Sequence, residues 1–228
     1  MESILNCNTA SIPEDNPDIG HFIDAELQNC LEAQTLTLGD PTLIARIRDV
    51  LLQGAQGMFL WVALQITSLC ASRTDEDIQE ALENLPRDLP ETFSRTLQRS
   101  RKSEDDDLQK RVLGFIITAR RPLTTGELRE ALAFVPGDAN WNPGRLINSM
   151  YAALACCGCL ITVDEEESTI RLIHHSAKTY LTSGSMAPVP IPAASSAMAH
   201  AVVTYLNYGV FDKQVSTTTV TPPVSGVA

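Results

Sequence analysis

Met58-Phe59-Leu60-Trp61-Val62-Ala63-Leu64 is a run of seven apolar residues behind Gly57. Gln65, Thr67 and Ser68 interrupt it, and the segment ends near Cys70. It is too short for a membrane span, which needs about 20 mostly apolar residues. A helix apolar on nearly every side belongs inside protein, so the neighbouring amphipathic elements should pack around it. Upstream, Ile19, Phe22, Ile23 and Leu27 recur at helical spacing to about Cys30, with Asp18 as the expected cap. Asp40-Pro41 opens a second helix as N-cap and first helical residue, with Leu43, Ile44, Ile47, Val50 and Leu51 on its apolar face. Gly54 to Gly57 permits a bend into the apolar run. Downstream, Thr74-x-x-Asp77 has the form of a capping box before Ile78, Ala81, Leu82 and Leu85. Pro86 ends that helix, and Leu89, Phe93 and Leu97 mark another. The charged run Arg99 to Asp107 reads as a solvated helix–helix junction.

A second unit begins near Leu108. Leu108, Val112, Phe115, Ile116 and Ala119 share a helix face. Thr124-x-x-Glu127 is a capping box, and Leu123 and Leu128 stand where a hydrophobic staple would place them. That helix continues through Ala131, Leu132 and Val135 to a break at Pro136-Gly137. Asn142-Pro143 starts a third helix, with Leu146, Ile147, Met150 and Leu154 facing inward. Leu160 to Val163 and Thr169 to Ile173 read as two strands around the acidic turn Asp164-Glu165-Glu166-Glu167-Ser168. A short helix from about Ser176 to Leu181 closes the unit. Three helices followed by a β-hairpin is the order of a winged helix, a variant of the helix-turn-helix.

The expected fold class is therefore mainly α: a helical domain over 18–107, a winged helix with a hairpin wing over 108–184, and a C-terminal helix over 197–212. Residues 1–17 are a polar, turn-rich N-terminal loop. Residues 185–196 contain Pro188, Pro190 and Pro192 and read as a linker. Met198, Ala201, Val202 and Tyr205 form the stripe of the last helix. The Thr/Val/Pro-rich stretch 213–228 reads as a disordered tail. No internal repeat is visible.

Composition narrows the function. The chain of 228 residues is 44% hydrophobic and carries a net charge of −11. An acidic surface repels phosphate backbones, so nucleic acid is not an expected partner. The N-terminus lacks a basic segment followed by an apolar stretch, so the expected location is cytoplasmic, with no membrane partner. Six cysteines are present, at 7, 30, 70, 156, 157 and 159. In a reducing compartment they are expected as thiols, and Cys156-Cys157-Gly158-Cys159 lacks the second half-site that a zinc centre usually needs.

Motifs of several enzyme classes are missing. A P-loop needs G-x-x-x-x-G-K-[ST]. The four lysines, Lys102, Lys110, Lys178 and Lys213, all lack a preceding glycine. The G-x-S-x-G elbow and the H-E-x-x-H helix are missing too. No catalytic residue, no metal ligand and no cofactor of this chain alone is expected.

Four motifs together carry a resemblance: Gly57-Met58-Phe59-Leu60-Trp61-Val62, Leu85-Pro86-x-x-Leu89, Arg121-Pro122-Leu123-Thr124-x-x-Glu127-Leu128 and His174-x-Ser176-x-x-x-Tyr180-Leu181. Their combination over about 18–206 resembles fungal NACHT-type NTPases of the STAND class, related to NOD-like receptors and often bearing ankyrin or WD40 repeats. The matching region lies after the ATPase core and includes the so-called GPI inositol-deacylase winged helix domain, a label that does not imply deacylase chemistry. The resemblance implies a non-catalytic regulatory and protein-interaction module that covers a nucleotide site and relays its state to C-terminal repeats. Its partners would be its own NACHT core and repeats, or their equivalents in trans. It also implies a role for His174, whose NOD-like-receptor counterpart reaches the ADP held by the core. ATP or ADP would be the cofactor of an intact NACHT protein. The other reading of His174 is an anchor for the start of its helix. Two other functions stand beside this one: a free-standing interaction adaptor from a truncated gene, and a DNA-binding winged helix.

Overall fold

The computed structural model describes residues 16–100, 106–184 and 187–208. The N-terminal loop before Asn16, most of the charged run after Arg99 and the expected tail lie outside these residues. The chain divides between Arg95 and Thr96 into two compact units.

The first unit is helical. Helix α1 spans Pro17–Glu32, α2 Leu43–Gly54, α3 Phe59–Cys70 and α4 Asp75–Glu83. Helix α5, Leu89–Ser100, runs through the division between the units. The apolar run does form the centre. Trp61, Val62, Leu64, Gln65, Ile66 and Leu69 of α3 are buried, and Thr67 is the one exposed residue of that helix. Ile19, Ile23 and Leu27 of α1, Ile47 and Leu51 of α2, and Ile78 and Leu82 of α4 share its core. Two buried polar groups are satisfied: Trp61 Nε1 donates to the Pro86 carbonyl at 3.0 Å, and Gln65 Nε2 donates to Thr92 Oγ1 at 3.2 Å. An unpaired buried donor would cost about 1–3 kcal/mol.

Caps account for the helix starts. Asn16, not Asp18, caps α1: its side chain accepts from Asp18 N at 3.0 Å, with Pro17 at the first helical position. Asp40 accepts from Thr42 N and Thr42 Oγ1, but it closes a turn and α2 itself starts at Leu43. Asp75 accepts from Gly39 N and Asp40 N, so the start of α4 holds the entry to α2. The capping box of Thr74 and Asp77 is complete.

The second unit contains α6 (Asp106–Thr118), β1 (Leu123–Thr124), α7 (Thr125–Ala133), α8 (Met150–Leu154), β2 (Ile161–Asp164), β3 (Thr169–Leu172), α9 (His175–Thr182) and α10 (Ile191–Leu206). The hairpin forms as expected, with Ile161 opposite Leu172 and Asp164 opposite Thr169. The sheet has a third member that sequence reading missed. Leu123 and Thr124 pair with Ile170 and Thr169, giving the order β1-β3-β2. Two residues are too short to show period-2 alternation, and Thr124 is also the N-cap of α7.

The expected continuous third helix is replaced by two pieces. A single 3-10 turn, Pro143–Arg145, is capped by Asn142, and extended backbone at Leu146 follows. Helix α8 then starts afresh under Ser149, whose hydroxyl accepts from Ala152 N at 3.3 Å. The Ile147 carbonyl accepts from Arg129 Nε at 2.6 Å, a side-chain bond in place of a helical one. Helix α7 is also shorter than its apolar pattern: it stops at Ala133, and Val135 is exposed.

Helix α10 begins at Ile191, inside the stretch expected to be a linker. Pro192 sits in its first turn, where a missing N–H costs nothing. This helix packs along α6. A Cβ on Gly114 would lie 3.2 Å from Ala194 Cβ. Phe134, Trp141, Tyr205 and Tyr208 form a cluster with ring centroids 5.3–6.2 Å apart, which fixes the C-terminal end of α10. Leu113 and Ile117 are therefore buried as well as Val112 and Phe115.

Candidate functional site

Strand β3 delivers the chain to the junction Ile173-His174. Ile173 N donates to the Leu160 carbonyl at 2.9 Å, which ties the junction back to the start of the wing. His174 is extended (φ −159°, ψ 155°) and is the N-cap of α9. Its Nδ1 accepts from Ser176 N at 3.2 Å and lies 2.8 Å from Ser176 Oγ. A ring nitrogen that accepts a backbone N–H carries no proton, so the neutral ring bears its hydrogen on Nε2. The Ala177 amide closes the turn on the His174 carbonyl at 3.1 Å. Ala177 and Leu181, both fully buried, root α9 in the core. The His175 ring lies 4.1 Å from that of His174, and both are exposed. Nε2 of His174 has no partner among the described residues.

The anchoring reading of His174 thus describes its local structure. The same bonds also orient the ring, so that Nε2–H is a fixed outward donor. The hydroxyl–imidazole contact to Ser176 is the first half of a nucleophile–base pair. Among the described residues no carboxylate orients the ring from its other nitrogen, and the contact belongs to the cap.

The cysteine cluster is built differently. Residues Ala155–Leu160 form a 3-10 segment broken at Gly158, whose positive φ of 58° a side chain rarely adopts. Cys156 and Cys157 are buried with their sulfurs 3.8 Å apart. Hydrogen bonding between them, together with burial, pushes the Cys157 thiol up. Burial does the same to Cys159, against a smaller opposite effect of Thr96. Thiols held protonated are poor nucleophiles and poor metal ligands. Among the described residues no group of three or more His, Cys, Asp or Glu could hold a metal ion.

The surface a winged helix would lay on DNA is poor in positive charge. Helix α8 carries no basic residue. Arg145 is paired with Asp138. The wing turn presents Glu165, Glu166 and Glu167 to solvent. No helix among the described residues is long and apolar enough to cross a membrane.

Comparison with known proteins agrees with this architecture. Residues 93–188 match the family described as GPI inositol-deacylase, winged helix domain. The chain is 32% identical over 165 residues to the vegetative incompatibility protein HET-E-1 of Podospora anserina, a fungal NACHT-domain protein. That match covers 72% of this chain and 12% of the relative, so the chain spans a small part of the relative's length. No solved structure matches.

Proposed function

With residues 93–188 belonging to the GPI inositol-deacylase winged helix domain family, we propose that the chain is the regulatory and interaction segment of a NACHT-associated protein. Its chemistry is recognition rather than catalysis. The helical unit and the winged helix would cover a nucleotide held by a NACHT core of the same polypeptide, and pass its state to C-terminal repeats. Such a relay needs a group with different contacts in two states. His174 is suited to that role. Its backbone and Nδ1 are committed to α9 while Nε2–H points outward, and an imidazole N–H can donate to a phosphate oxygen. The fixed outward Nε2–H is the observation that carries this reading.

The test uses the native polypeptide purified from its source cells. The proposal expects a product well above 24.8 kDa that retains ADP, and retention that falls in both His174→Ala and His174→Asn. Asparagine keeps a capping side chain but supplies no Nε2–H. Retention unchanged in both variants would rule out nucleotide sensing by His174. A product of 24.8 kDa would favour the adaptor reading. The apolar residues that α10 leaves in solvent, with Val203 65% and Leu206 60% exposed, fit either reading, since a following domain or a separate partner would cover them.

A further inference from the structure

Cys30 lies in the last turns of α1, and Cys70 is the last residue of α3. The two helices pack directly on one another. Both cysteines border the same core and both are partly open to solvent. The Thr35 hydroxyl ties them together: it donates to the Cys30 carbonyl at 3.1 Å and stands 4.0 Å from the Cys70 sulfur. The backbone amides of Thr35 and Leu36 also bond the Cys30 carbonyl, so the end of α1 is held over Cys70. The Cys70 thiol donates to the Thr35 hydroxyl, which itself donates to the Cys30 carbonyl, so one side chain joins the two cysteine positions.

We propose that Cys30 and Cys70 form a reversible disulfide in response to a peroxide or to a low-molecular-weight disulfide such as oxidised glutathione. With a peroxide, one thiolate attacks an oxygen, the O–O bond breaks, and a sulfenic acid and hydroxide result. The second thiol attacks the sulfenic sulfur, the S–S bond forms and water leaves. Both sulfurs are oxidised and hydrogen peroxide is reduced to two waters. With oxidised glutathione, two exchanges form the protein disulfide and release two glutathione thiols. The bond would clamp the C-terminal ends of α1 and α3 and close a loop across the whole of α2.

The other near pair does not compete. Cys156 and Cys157 are 4% and 0% exposed, so an oxidant does not reach them. Adjacent cysteines could also close only a small ring that strains the planar peptide between them. Burial and the neighbouring Cys30 push the Cys70 thiol up to about 11. A thiol held protonated is a slow nucleophile, so Cys70 reacts slowly when oxidant accumulates.

The experiment treats the folded full-length chain with oxidised glutathione, then with hydrogen peroxide, quenches with an alkylating agent and maps the peptides by mass spectrometry. The expected product joins the peptides that contain Cys30 and Cys70, and dithiothreitol reverses it. Free thiols titrated after denaturation fall from six to four. Cys30→Ser and Cys70→Ser each abolish the cross-link, whereas Cys156→Ser leaves it intact. A lasting glutathione adduct on Cys70 without the cross-link would overturn the proposal. So would a dominant disulfide through Cys7 or Cys159, or six thiols surviving treatment.

Discussion

At the scale of single residues, two side chains each do a job that a conservative replacement can isolate. His174 caps α9 through Nδ1. His174→Ala removes the cap and should lower stability by about 1 kcal/mol, whereas His174→Asn should recover most of it. Urea unfolding of the two variants makes the comparison, and equal losses would mean that the ring contributes by something other than capping. Trp61 fills the centre of the first unit and donates to the Pro86 carbonyl. Trp61→Phe keeps most of the bulk but strands that buried acceptor, at a cost of about 1–3 kcal/mol. The position is crowded as well. A Cβ on Gly54 would lie 2.6 Å from Trp61 Cη2, so Gly54→Ala should cost about 1–3 kcal/mol by overpacking. The smaller ring of Trp61→Phe opens that space, so the double variant should lose less than the sum of the single losses. Additive losses would show that the two residues do not press on each other.

At the scale of elements, local signals were the readable ones. Both capping boxes could be read because a box is a contact between residues three apart, and both form. The α3 core could be read because an uninterrupted apolar run needs no partner to be recognised. The interruption of the third helix could not, because the Ile147 carbonyl is taken by a residue 18 positions away. Strand β1 escaped for a similar reason: its two residues are defined by pairing with β3. The box at α7 makes a test of pH. Hydrogen bonding from Arg121, then from the Thr124 amide, holds the Glu127 carboxyl at about 2, below its ordinary value of 4.5. A depressed folded-state value means the unfolded chain takes up the proton first. The stabilisation is thus present above about pH 4.5 and is lost as pH falls toward 2. Melting followed from pH 6 to pH 2.5 should show a smaller acid-side loss in Glu127→Gln than in the wild type. Parallel curves would mean that Arg121 and Glu127 do not interact in solution.

At the scale of the whole molecule, the winged helix order was legible but its surroundings were not. The run Val112 to Ile117 leaves the later turns of α6 without a polar face, which foretells a second partner, but only the fold shows that this partner is α10. Charge is the property of the whole that sequence does report, and it bears on whether this winged helix reads DNA. The net charge is −11, the wing is acidic and the recognition-helix position is broken. Phosphate contacts come mainly from Lys and Arg, so a mobility-shift assay with duplex DNA at low salt should show no complex. Glu165→Lys with Glu166→Lys reverses two exposed wing charges and brings the net from −11 to −7, since −11 + 4 = −7. If that variant binds DNA in a salt-sensitive way, charge alone keeps the wild-type domain off DNA. If it does not bind, the broken helix before Met150 is the deeper reason, because no continuous helix is available to enter a groove. A salt-sensitive complex with the wild type would overturn both explanations and restore nucleic acid as a partner.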